Sequence, residues 1–128
     1  MFTVVTVEGN LTADPVLRAV PAEPGRGADL RGRQAAQVAN LRIAVSERER
    51  DARGIWVSTE PVFYDVAVWG SAAPHAAALR AGDRVVVHGE LTARSWTGQD
   101  GQVRCSSTIT AAMVGASLRY VPVQPARG

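Results

Sequence analysis

The side chains of this 128-residue chain best equipped to hold a planar, charged partner are seven aromatics and fourteen arginines; there is no lysine. Phe63 and Trp69 stand six residues apart in an alternating run and so project from one strand face. Val62, Tyr64, Val66 and Val68 take the other face and read as a core stripe, which makes the face with Phe63, Asp65, Ala67 and Trp69 the solvent side. Trp96 stands just before the turn Gly98-Gln99-Asp100-Gly101, and Trp56 lies in the charged segment Glu47–Thr59. Arg42 projects from the polar side of its strand. Arg48, Arg50 and Arg53 alternate with Glu47, Glu49 and Asp51; Arg94 precedes Trp96 by two residues, and Arg104 follows the turn. Exposed aromatics on a strand face stack unpaired bases. Arginine holds phosphate bidentately and stacks on planar groups. Two plainer readings stay open. Phe63 and Trp69 bury against a loop or a second subunit, or the arginines of the charged segment are neutralised by its own carboxylates. The all-arginine usage is also what a GC-rich coding sequence yields.

Catalysis finds no support. A nucleophile needs a base held by a third group. The chain has one cysteine, Cys105, two histidines, His75 and His88, and scattered carboxylates. No Cys/His cluster has metal-ligand spacing, and no glycine-rich phosphate loop is present. The expectation is a non-enzyme with no cofactor and no metal. Apolar runs such as Val85-Val86-Val87 fall far short of the roughly 18 residues of a membrane span. A single cysteine excludes an intrachain disulfide, and no secretory leader is visible, so a cytoplasmic location is expected. A net charge of +2 by itself says little about partners. The length suits one domain, and assembly into subunits would help stabilise it.

The elements that must position these residues are mostly strands. Phe2–Glu8 alternates and stops at the turn signal Gly9-Asn10. Further extended pieces are expected at Pro15–Val20, Ala39–Ser46, Val62–Trp69, Arg84–Trp96 (broken by Gly89) and Val103–Tyr120. In Ala39–Ser46, Leu41, Ile43 and Val45 oppose Asn40, Arg42 and Ala44. Ser71 is a good N-cap for an alanine-rich helix at Ala72–Arg80, with Pro74 in its first turn and Gly82 as its stop. Pro21–Arg33 reads as a loop, and Glu47–Thr59 as a loop or hairpin. An all-β, five-stranded OB-fold barrel with one short helix between strands 3 and 4 matches this order.

The series of motifs resembles the bacterial single-stranded DNA-binding protein family. It comprises Val7-Glu8-Gly9-Asn10-Leu11, Asp14-Pro15-Val16-Leu17-Arg18, Val38–Ala44, Val68-Trp69-Gly70, Leu79–Val85, Gly89–Trp96 and Asp100-Gly101. Ser117-Leu118-Arg119-Tyr120 is similar to the actinobacterial branch. The resemblance covers residues 3–120. It implies an OB-fold domain over 1–120 with a short flexible tail at 121–128, a homotetramer, and sequence-independent binding of single-stranded DNA in replication, recombination, repair or chromosome maintenance in the nucleoid. Phe63, Trp69 and Trp96 fall where that family stacks bases, and Arg18, Arg50, Arg94 and Arg104 where it often places basic residues along the DNA. Where well-studied members carry another stacking tryptophan this chain has Glu49, with Trp56 a candidate substitute. The family's long acidic-tipped tail is missing, which argues against recruiting replication and repair enzymes through it and fits a specialised paralogue or a shortened chain. The alternative is an OB-fold interaction module whose aromatic face docks protein, as in primosomal accessory proteins that resemble this family.

Overall fold

The computed structural model describes residues 3–20, 36–46, 48–58 and 60–125; the expected loop Pro21–Arg33 and the last three residues of the tail lie outside them. The strands are, in chain order, β1 (Thr3–Leu11), β2 (Val16–Val20), β3 (Ala36–Val45), β4 (Arg48–Arg50), β5 (Trp56–Ser58), β6 (Val62–Trp69), β7 (Arg84–Thr97) and β8 (Val103–Ala116). A 3₁₀ turn (Gly70–Ala72) and a short helix α1 (Ala73–Ala76) lie between β6 and β7. Six strands form one sheet in the order β1–β7–β8–β6–β3–β2, and β1 also pairs with β3. Five of them (β1, β3, β6, β7 and β8) therefore close into a ring, with α1 between the third and fourth ring strands. β3 gives one edge to β6 and divides the other between β1, at Ile43 and Ala44, and β2, at residues 36–40. The large-sheet pairings are antiparallel except β6 beside β8. This is the expected OB-fold, supplemented by β2 and by the two-stranded hairpin β4–β5.

Period-two alternation points Leu41 and Ile43 of β3, Val66 and Val68 of β6, Val85 and Val87 of β7 and Ile109 of β8 into the ring. Ala73 and Ala76 of α1 pack against this cluster. Ile43, Ile109, Val66, Val85 and Val87 are essentially without solvent exposure. The residues that alternate with these along the strands face outward, and that outward surface carries the site.

Five local expectations are corrected. Gly9-Asn10 is not a turn: β1 runs on to Leu11, and Gly9, paired with Val85 of β7, immediately precedes Asn10, where the other edge of β1 meets β3. A Cβ on Gly9 would stand 2.5 Å from the carbonyl oxygen of Ala44, so glycine serves close approach here. Gly89 does not break β7. The ladder shifts register between His88 and Gly89, and a Cβ on Gly89 would lie 2.2 Å from the Thr110 carbonyl oxygen. The helix is much shorter than expected, and Ser71 caps nothing; Trp69 and Ala72 occupy the N-cap positions, with no side-chain bond. Tertiary bonds pull the chain away instead. Asp14 accepts from the Ala81 N–H at 2.8 Å, and Leu11 exchanges backbone bonds with Gly82 and Asp83 at 2.8 and 2.9 Å. Gly82, at φ +91, makes that bend. Val62, expected in the core stripe, is 53% exposed because it precedes the segment of β6 that β8 covers, Asp65–Ala67.

β8 ends four residues earlier than its pattern suggested, at Ala116. Ser117 then donates its N–H to the Arg84 carbonyl at 2.9 Å and its Oγ–H to Glu8 at 2.6 Å. Arg84 Nε and Arg119 Nη1 also bond Glu8, at 2.7 and 3.4 Å. The Ser117 hydroxyl, then the Arg84 guanidinium, hold the Glu8 carboxyl below the usual carboxylate range, against the opposing effect of burial.

Two outcomes follow. Gly9→Ala should lower unfolding free energy by about 1–3 kcal/mol through overpacking, read by urea denaturation; an unchanged midpoint would mean that β1 and β3 are not this close. Glu8 is more acidic folded than unfolded, so its contribution is complete above its unfolded pKa and disappears as pH falls through the lowered folded one. Stability of Glu8→Gln, followed by thermal melts below about pH 5, should therefore decline less steeply with acid than that of the wild type. Parallel curves would count against the clasp.

Candidate nucleic-acid interface

Directly opposed residues of antiparallel strands share a face, so the register shows what the outward surface gathers. Arg18 of β2 opposes Val38 of β3, which opposes Trp69 of β6. In the next row, Val16, Asn40 and Ala67 lead through Thr110 of β8 to Glu90 of β7. Arg42 and Asp65 follow, continuing through Thr108 to Thr92, and then Ala44 opposite Phe63. Farther along β7 and β8, Arg94 opposes Ser106 and Trp96 opposes Arg104. The alternation that put Phe63 and Trp69 on one face is present, and the same face extends to Arg94 and Trp96. Phe63, Trp69 and Trp96 are 44%, 46% and 49% exposed. Val38, between Arg18 and Trp69, and Ala67, in the next row, are buried on this outer face. Trp69 also walls a cleft of about 330 Å³ whose other lining includes His75, Leu79 and Met113.

The arginines divide by what they already touch. Arg42 lies with its guanidinium carbon 5.0 Å from the centre of the Phe63 ring and bonds Asp65 at 3.3 Å. Arg104 bonds Asp100 at 3.0 Å. Both ion pairs are about half exposed, where such pairs contribute about 0–1 kcal/mol, so a phosphate can compete for either arginine. Arg18 donates from Nε to the neutral amide oxygen of Asn40 at 3.1 Å, which orients its charge without cancelling it. Arg94 is exposed.

Beyond Leu91 and Thr108, β7 and β8 pair only with each other and extend as an arm. Its turn is closed by Gly98 and Gln102, with Asp100 accepting from the Gln102 N–H at 3.1 Å. Arg104 thus braces the base of the turn beside Trp96. The charged segment is a second hairpin. Asp51 accepts from the N–H groups of Arg53 and Ile55 at 2.8 and 3.0 Å, and Gly54 takes φ +79 at the bend. Glu49 pairs with Val57, whereas Arg50 opposes Trp56 and stacks on it at 5.0 Å. Trp56 is 54% exposed. Arg53 is exposed at the bend; Arg48 opposes Ser58, and its side chain lies outside the described residues. Asn40 and Asp65 were not singled out as site residues from the sequence. Their alternation with Arg42 and Phe63 was the available signal; what each bonds depends on register.

Among the described residues, no three His, Cys, Asp or Glu lie together as a metal site, and no helix is long and apolar enough to cross a membrane. Cys105 is exposed.

A closed five-strand ring with an outward surface of aromatics and arginines defines an OB-fold protein. The chain matches the Single-strand binding protein family over residues 2–117 and belongs to it. Among curated relatives, it is 37% identical over 120 residues to a single-stranded DNA-binding protein of Mycolicibacterium smegmatis, covering 92% of this chain and 66% of the relative. It is also 37% identical over 119 residues to single-stranded DNA-binding protein 2 of Streptomyces coelicolor, covering 91% of this chain and 54% of that protein. The chain thus spans about two thirds or less of the length of these relatives. The crystal structure of a small single-stranded DNA-binding protein from Streptomyces coelicolor superimposes with a TM-score of 0.71 at 27% identity, covering 92% of this chain and 96% of that one. The expectation of a non-enzymatic chain stands on this family, whose members are not enzymes.

Proposed function

We propose that the chain binds single-stranded DNA without sequence preference, stacking bases on Phe63, Trp69 and Trp96 and holding phosphates with Arg18, Arg94 and, by exchange from their carboxylates, Arg42 and Arg104. The observation that carries this reading is that three half-exposed aromatics share one outward face with these arginines. The Trp56–Arg50 pair supplies a further stacking unit, and Arg48 and Arg53 of the same segment are further candidates for phosphate. The family and the names of the relatives support DNA as the partner. In this reading the working unit is a cytoplasmic, nucleoid-associated homotetramer, built on one domain over 1–120, that protects single strands during replication, recombination and repair.

Stacking contributes about 1–3 kcal/mol per base. Trp69→Ala and Trp96→Ala should each weaken oligo-dT binding by that amount, followed by quenching of the remaining tryptophan fluorescence, with the subunit count unchanged by light scattering. Wild-type protein that shows no quenching at low salt would remove the reading and favour a protein-docking module. A second outcome concerns charge. Arg42→Ala removes one phosphate contact, so affinity should fall and the slope of log K against log salt should flatten by about one. A slope identical to wild type would leave Arg42 off the DNA path.

A further inference from the structure

The outward surface carries another exposed ring that this stacking surface does not use. Tyr120 is 72% exposed. The guanidinium carbons of Arg84 and Arg119 lie 5.1 and 5.9 Å from its ring centre. Both arginines are fastened to Glu8, at 2.7 and 3.4 Å, and the Arg119 N–H donates to Ser117 Oγ at 3.2 Å. Two guanidinium groups around one carboxylate leave one positive charge in excess, and the oxygens of Glu8, which alone would repel phosphate, are already engaged.

The register connects this ring to the stacking surface. Phe63 opposes Ala44, Ala44 opposes Asn10, and Asn10 opposes Arg84. Arg84 confirms the last step by donating to Asn10 Oδ1 at 2.8 Å, and Asn10 in turn donates to the Gly82 carbonyl at 3.1 Å. The strip from Phe63 to Arg84 is three strand spacings, roughly 14 Å of sheet, and only short side chains stand in it.

We propose that Tyr120, held by Arg84 and Arg119, is an additional base-stacking station for the same single strand, reached from Phe63 across Ala44 and Asn10. The inference rests on the reading of Phe63 as a base-stacking residue. A ring flanked by two guanidinium groups that are themselves hydrogen-bonded has less freedom to lose when a base settles on it, and the surplus charge beside it attracts the flanking phosphate. The ring's own contacts with the arginines leave most of its surface open.

The test uses the full chain, with Tyr120→Ala and Tyr120→Trp titrated against oligo-dT of increasing length and the subunit number counted by light scattering. For long oligomers, Tyr120→Ala should weaken binding at least about fivefold, the equivalent of about 1 kcal/mol. Short oligomers should bind as they do to wild type. Tyr120→Trp should add fluorescence quenching at long lengths only, and both variants should keep the wild-type subunit number. Equal binding by Tyr120→Ala at every length, or Tyr120→Trp that binds without added quenching, overturns the proposal while leaving the Phe63 surface intact. A changed subunit number with unchanged affinity overturns it too and makes Tyr120 a subunit contact. Wild-type protein that fails to bind oligo-dT overturns both readings.

Discussion

The structure depends on one close backbone approach. β1 lies against β7 along one edge from Thr3 to Asn10 and, at its C-terminal end, must bring its other edge to β3, because only that second pairing turns an open sheet into a ring. Just before that second pairing the Ala44 carbonyl occupies the space where a side chain on Gly9 would begin. Closure at Asn10 and Leu11 then fixes β3 relative to β7. It also fixes which residues of β3 and β6 face inward and which outward. A slip of one residue would exchange Ile43 and Val66 for Arg42 and Asp65. Placement of the aromatics thus follows from a constraint several strands away. The second close approach, at Gly89, accommodates the register shift that lets β8 pair with β7 around the bend of the ring.

The electrostatics of the outer surface are those of a surface held ready. Arg42 and Arg104 have weak, solvent-screened carboxylate partners, and Arg18 has a neutral one. Each partner fixes the guanidinium at a small cost to its availability. Arginine suits this arrangement better than lysine, since one planar group can lie on Phe63 or Trp56 and bond an oxygen at its edge. Glu8 behaves differently. Its three partners draw β1, β7 and the segment after β8 together, so its role is to hold the end of the chain against the ring.

Much of this surface was legible because strand side chains alternate with a period of two. Phe63 and Trp69, Arg94 and Trp96, and Leu41 against Arg42 all follow from that period. The fold class followed from the order of strands and the single helix. What could not be read depends on contacts between distant segments. Gly9 signalled a turn because glycine serves turns and close approaches alike. The helix ended early because Asp14 and Leu11, some seventy residues away, compete for its last turns. The charged hairpin showed its tip but not its register, and only the register assigns Arg50, not Glu49, to Trp56. Asn40 and Asp65 lay in plain alternation, yet their bonds to Arg18 and Arg42 become visible only when three strands are aligned.

The most direct examination of the account is a nuclear magnetic resonance titration of the isotope-labelled chain with oligo-dT, following the indole N–H signals of its three tryptophans and the backbone amides of each strand. The account predicts that the Trp69 and Trp96 indole signals move together with amides of β2, β3, β6 and the β7–β8 arm. Shifts confined to other parts of the molecule, with both indoles unmoved at saturation, would contradict it.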